Sequence, residues 1–211
     1  MLRAQTGPIL SQWNEYERSV RTDSNNRMVE IRSALPQVIY DLHYATPHNF
    51  TGQVLYPEGD HTFLRLPALR ALQQVAAELE ARGFRLKIWD AYRPYSVTKK
   101  MWDLIGDERY VANPAKGSGH NRGLAVDLTL TDSGGREINM GTAFDHFTDT
   151  AHHAFPELPV TVRSNRKLLK ETMERYGFRA LETEWWHYSW PNDRQYAVLD
   201  LSFRALRKKR Y

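Results

Sequence analysis

The segment Gly123-Leu124-Ala125-Val126-Asp127-Leu128-Thr129-Leu130 constrains this chain more than any other. Its apolar, alternating character predicts a strand, with Leu124, Val126, Leu128 and Leu130 on one face and Ala125, Asp127 and Thr129 on the other. Asp127 therefore faces away from the more apolar side. A carboxylate in such a strand needs a cation or hydrogen-bond donors, because burying it alone is costly or shifts its pKa. A salt bridge to an arginine or an exposed strand face would meet that need, as would a metal ion.

Further strands are predicted over Gln37 to Tyr44, Arg85 to Asp90 and Phe178 to Trp190, each rich in β-branched, aromatic or alternating apolar residues. Asp132-Ser133-Gly134-Gly135 reads as a turn, after which Arg136 to Asn139 can return beside the strand ending at Leu130. Leu66 to Arg82 reads as an amphipathic helix, with Leu66, Leu69, Leu72, Val75, Ala76 and Leu79 as its stripe, Pro67 near its start and Gly83 after its end. A second helix is expected from about Asn165 to Tyr176, with Ser164 as N-cap, Gly177 as stop, and Leu168, Leu169, Met173 and Tyr176 buried. Helices grouped between strand pairs with tight turns imply an α+β fold, a mainly antiparallel central sheet with flanking helices.

A chain of 211 residues with 41% hydrophobic content supports one buried core and is short for two. With no repeat or linker to divide it, residues 1–211 read as a single domain. Basic residues exceed acidic ones by 29 − 25 = 4, and Arg204, Arg207, Lys208, Lys209 and Arg210 crowd the C-terminus. That run reads as a solvated tail, with an anionic contact as the alternative, and nothing else suggests nucleic acid. No apolar run is long enough to span a membrane or form a signal sequence. The compartment stays open, cytoplasmic as the sequence stands and periplasmic if a signal was trimmed, with Met1 to Gln5 as the scar of such trimming.

The chain has no cysteine, which excludes disulfides and thiolate chemistry, so any metal must use histidine and carboxylate. His120 lies seven residues before Asp127, in a Gly-bounded loop. Glu184 and His187 lie among Trp185, Trp186, Tyr188 and Trp190. A catalytic zinc site wants three protein ligands, an open position for water and a nearby carboxylate that is not a ligand. His120, Asp127 and His187 supply the ligands, and Glu184 supplies the fourth group. Residues three apart on a regular strand point to opposite faces, so Glu184 and His187 converge only if the backbone twists, bulges or turns. The other histidines, His43, His48, His61, His146, His152 and His153, read as structural, the last two as a pair on a helix. Arg93, ending the strand at Trp89-Asp90-Ala91-Tyr92-Arg93-Pro94, is suited to a carbonyl turning into an oxyanion or, equally, to an ion pair with Asp90 or a glutamate.

These segments together resemble the D-alanyl-D-alanine dipeptidases of the VanX type, zinc peptidases that share a fold with DD-carboxypeptidases and the Hedgehog amino-terminal domain. The likeness runs from about Val38 to about Leu201 through Asp41 to Thr46, Asn49 to Gly52, Asp90 to Pro94, Ser118-x-His120-x6-Asp127 and Glu184-x-x-His187. It implies one Zn2+ per chain on His120, Asp127 and His187, Glu184 as catalytic base and Arg93 as the group polarising the carbonyl. It also implies Tyr44 and Asp145 at the free amine of a small dipeptide substrate, with Ser118 nearby. His43 departs from the pattern, since the family often has arginine there. The rival expectations are a DD- or LD-carboxypeptidase acting on peptidoglycan stems and a non-catalytic zinc-stabilised binding module.

Overall fold

The computed structural model describes residues 8–57, 59 and 61–208. The segment Met1 to Gln5, and Lys209 and Arg210 of the basic run, lie outside them. In chain order the elements are β1 (Ile9–Leu10), α1 (Trp13–Thr22), β2 (Met28–Glu30), α2 (Ile31–Ala34), β3 (Ile39–Tyr40), β4 (Phe63–Arg65), α3 (Leu66–Ala81), β5 (Phe84–Asp90), α4 (Tyr95–Ile105), β6 (Ala125–Asp132), α5 (Val160–Arg175), β7 (Arg179–Leu181), β8 (Glu184–Ser189), β9 (Val198–Leu199) and α6 (Phe203–Lys208). The central sheet has the order β3-β5-β6-β8-β7. Only β3 runs parallel to its neighbour, so the sheet is mainly antiparallel and the fold is α+β, as expected. Two-stranded pairs, β1 with β9 and β2 with β4, lie outside it.

Strand β6 occupies the middle, and everything from Ala125 to Thr131 is buried on both of its faces. The face carrying Asp127 is therefore interior, which rules out the exposed-face reading. Helix α3 matches its expected span, buries Leu69, Leu72, Val75, Ala76 and Leu79, and packs on β5 and α5. Gly83 follows it at φ +83°, a left-handed turn that glycine adopts without a Cβ clash.

Four local expectations need correction. Helix α5 starts at Val160, after Pro159, so Ser164 lies inside the helix and does not cap it. Its buried stripe is Val162, Arg166, Leu169 and Met173, with Leu168 and Tyr176 only partly covered. Burial of Val162 overrides the weak helix preference of a β-branched start. The strand expected over Gln37 to Tyr44 keeps only Ile39–Tyr40, because after Asp41 N–H donates to Ile88 O the chain leaves the sheet for a 3-10 turn at His43–Ala45. Phe178 to Trp190 divides at Glu182-Thr183 into β7 and β8. Arg136 to Asn139 does return along β6, though as a single bridge between Thr131 and Glu137.

The fourth correction concerns His152 and His153, which sit in a turn rather than a helix. The His153 ring faces Tyr188, and its buried Nε2 has no hydrogen-bond partner among the described residues. Burial, helped by Lys170, pushes its pKa down to about 4. Between that value and its ordinary 6.5 the unfolded chain holds a proton that the folded chain does not. The stability this group contributes is thus complete above about pH 6.5 and lost as the pH falls toward 4. With partial solvation discounted, the loss is on the order of 1–2 kcal/mol. His153→Gln should reduce the drop in urea midpoint between pH 6.5 and pH 4.5, and an unchanged drop would contradict the assignment.

Candidate metal centre and active-site cavity

Three strands and one tight turn bring the expected ligands together. Asp127 lies opposite Asp90 of β5 and opposite His187 of β8 in the sheet register. His120 enters from a 3-10 turn, His120–Arg122, between Gly119 and Gly123. Gly119 passes so close to β6 and β8 that a Cβ there would stand 2.9 Å from the Ala125 Cβ and 3.1 Å from Ser189 Oγ. Gly123 closes the turn at φ +67°.

The donor atoms face one another. His187 Nδ1 is 2.9 Å from Asp127 Oδ1, His120 Nε2 is 3.4 Å from Asp127 Oδ2, and the two ring nitrogens are 3.2 Å apart. One ligand atom from each of the three residues lies within 4.8 Å of the others. The outward nitrogens are also committed, His120 Nδ1 to Ala91 O at 2.7 Å and His187 Nε2 to Ser189 Oγ at 3.0 Å. A carbonyl only accepts, so His120 carries its proton on Nδ1 and keeps the Nε2 lone pair for the centre. Burial raises the Asp127 carboxyl, but the two histidines outweigh it and hold the group below the usual carboxylate range. On His187 burial opposes charge, and the bond to Asp127 outweighs it in turn, so the pKa rises. The cluster thus competes for a cation, whether proton or metal. Two imidazoles, that of His120 with its tautomer fixed by Ala91 O, and a carboxylate fit zinc's preferred donors.

Glu184 and His187 both border the same cavity of about 590 Å³, together with His120, Asp127, Arg93, Tyr44, Ser118 and Asp145. The convergence demanded of β8 is met by a bulge. Ala180 pairs with Tyr188, but the next residue, Leu181, pairs with Glu184, so Trp185, Trp186 and His187 are extra on the β8 side. Consecutive burial of Trp185 and Trp186 records the same break in alternation. Burial raises the Glu184 pKa above its ordinary value.

Arg93 makes the ion pair considered for it and also lines the cavity. Its Nε and Nη2 donate to Asp90 Oδ2 at 3.0 and 2.6 Å, and the guanidinium still borders the cavity, 5.0 Å above the Tyr44 ring. Asp90 is fully buried and also accepts from Tyr56 Oη and Ala91 N–H. Burial alone would favour a neutral Asp90, but that would strand the guanidinium in a dry site, so the pair is ionised. Burial works against charge on Arg93 as well, and Asp90 outweighs it, raising the pKa well above the ordinary value. Tyr44 Oη donates to Asp145 Oδ2 at 2.9 Å, and burial, with Asp127 nearby, raises the Asp145 carboxyl well above its usual range. Ser118 Oγ accepts from Asn121 N–H at 3.1 Å.

Some site residues escaped the sequence reading. Asn121, fully buried, donates to Arg93 O and Thr98 Oγ1 and accepts from Ser118 N–H, tying the histidine turn to the arginine strand end. Its place beside His120 was the available signal. His146 and His152, which the sequence reading left as structural, border the cavity. His43 does not border it, and its ring packs on Trp89 and Phe144 beside Asp41. Arg204, Arg207 and Lys208 are exposed on α6, and no helix among the described residues is long and apolar enough to cross a membrane.

A family model described as D-Ala-D-Ala dipeptidase, peptidase M15, matches residues 24–205. A D-alanyl-D-alanine dipeptidase of Escherichia coli (strain K12) is 34% identical over 172 residues, covering 82% of this chain and 89% of that protein. One of Enterococcus faecalis (strain ATCC 700802 / V583) is 31% identical over 183 residues, covering 77% and 91%. Among solved structures, the LdcB LD-carboxypeptidase aligns with a TM-score of 0.42 at 25% identity, over 61% of this chain and 59% of that one. The family match over most of the length, supported by relatives above 30% identity, means that the chain belongs to the peptidase M15 family of D-alanyl-D-alanine dipeptidases and is a metallopeptidase.

Proposed function

We propose that residues 1–211 act as one zinc dipeptidase domain that hydrolyses D-alanyl-D-alanine to free D-alanine, with His120, Asp127 and His187 holding one Zn2+. The observation that carries this reading is the convergence of those three donors with Glu184 and Arg93 on one cavity. A zinc site of purely structural use needs neither of the last two, which argues against a binding module.

His120, Asp127 and His187 would hold the zinc, which when bound would supply Lewis acidity to the carbonyl and make water more acidic. Glu184 takes the proton of the attacking water on its carboxylate and passes it to the departing amine nitrogen as the peptide C–N bond breaks. Its raised pKa suits both transfers. Arg93, anchored to Asp90 through Nε and Nη2, lines the cavity and turns its positive charge to the carbonyl oxygen as negative charge grows there. Tyr44 and Asp145 receive the substrate's ammonium, and Ser118 lies beside the bound dipeptide. An ammonium at Asp145 would also offset the burial and the Asp127 charge that raise this carboxyl.

That amine-binding end favours the dipeptidase over a carboxypeptidase acting on stem peptides, whose acylated nitrogen carries no charge to offer it. Zinc-loaded protein should therefore cleave D-Ala-D-Ala and leave N-acetyl-D-Ala-D-Ala and a stem pentapeptide nearly untouched, with kcat/KM lower by about 10² or more. Equal turnover of the free and acetylated dipeptides would favour the carboxypeptidase.

A further inference from the structure

The loop from Met140 to His152 carries Asp145 and much of the cavity wall, yet it holds little regular structure, only a 3-10 turn at Asp149–Ala151. Its shape is imposed from outside. Arg166 of α5, 3% exposed, donates Nε to Met140 O at 2.7 Å, Nη1 to His152 O at 3.0 Å and Nη2 to Thr150 O at 2.9 Å. All three nitrogens are spent on loop carbonyls, and no carboxylate pairs with the group among the described residues. The guanidinium also stands 5.7 Å over the Trp185 ring, whose Nε1 donates to Thr142 Oγ1 at 2.7 Å. A charged side chain buried without a counter-ion is expensive, and here the carbonyl dipoles and the Trp185 ring face compensate it. The planar fork reaches both ends of the loop at once, which a lysine point charge cannot do. Between those ends Asp145 is held at φ +56°, a left-handed conformation unusual for a residue other than glycine.

We infer that Arg166 is the positioning residue for the substrate's ammonium: by clamping Met140, Thr150 and His152 it fixes the loop that sets Asp145 against Tyr44. The inference rests on the reading of Asp145 as the amine-binding group. Arg166 lies on the far side of that loop and handles no proton of the reaction, so its loss should appear in KM rather than in kcat.

The test compares Arg166→Met, Arg166→Lys and Asp145→Asn, singly and with Arg166→Met and Asp145→Asn combined, in zinc-loaded full-length protein with D-Ala-D-Ala. Arg166→Met should raise KM about tenfold or more while kcat stays within about threefold and zinc content is unchanged. Arg166→Lys should recover part of the KM, and carries the same comparison if the methionine variant does not fold. Amide exchange should accelerate across residues 141–150 and remain slow in β5 and β6. The two KM effects should combine to less than their product, because both act on one carboxylate. If Asp145→Asn leaves KM at the parent value, the amine-binding reading fails and the inference with it. If Asp145→Asn raises KM but Arg166→Met does not, or the two effects multiply, the amine-binding reading stands and the inference alone is overturned.

Discussion

Glu184→Gln should purify with zinc near one per chain and show activity lower by at least about 10²–10⁴, the range for a general base, while His187→Ala should lose metal and activity together. The asymmetry follows from the geometry. The donor atoms of His120, Asp127 and His187 lie within 4.8 Å of one another, and Glu184 is not among them although it borders the same cavity. Glutamine keeps the size of the side chain but cannot accept the proton of water or return one to the amine, so two transfers fail with one substitution. Removing the His187 imidazole leaves Asp127 buried with one fewer partner, so some thermal stability should go as well. Metal analysis beside dipeptide hydrolysis decides the matter. A Glu184→Gln protein near wild-type activity would remove the base, and one without zinc would make Glu184 a ligand.

The parts of this site that could be read from sequence are those in which residue type carries the message. Asp127 sits in a strand otherwise too apolar to hold a lone carboxylate, and His120 sits in a loop whose glycines announce a tight turn. Without cysteine, a metal reading had to pass through such residues. What could not be read was geometry decided by distant contacts. The bulge that turns Glu184 and His187 into one cavity depends on β7 pairing past three residues of β8, and spacing in the chain only states the need for it. The Met140 to His152 loop has neither period, and its shape depends on a guanidinium 14 residues beyond its end. Helix starts were lost where the local cap is not one of the usual residues. Helix α1 follows Gln12, which is not among the usual capping residues, although Glu15 accepts from Gln12 N–H at 3.3 Å in the manner of a capping box.

The Asp90 and Arg93 pair offers the other large effect, because it couples stability to catalysis and allows the two to be separated. Asp90→Asn keeps one oxygen for Ala91 N–H and Tyr56 Oη but turns an amide toward Arg93, so donors face donors around a guanidinium that has lost its counter-charge. Leaving a buried charge unpaired costs about 3–5 kcal/mol, which for a chain of this size lowers Tm by roughly 6–20 °C. Arg93→Gln leaves the opposite charge stranded on Asp90 and should cost a similar amount. It also removes the cation proposed for the carbonyl oxygen, so kcat should fall by about 10²–10³. The double variant Asp90→Asn/Arg93→Gln replaces the ion pair by two amides that can hydrogen-bond, so it should be more stable than either single variant. Its activity should stay as low as that of Arg93→Gln, since nothing in it restores positive charge at the oxygen. Thermal melts and dipeptide kinetics on the four proteins complete the cycle. Additive losses of stability would mean that the two residues are not coupled, and activity returning with stability would mean that Arg93 serves the fold and not the reaction.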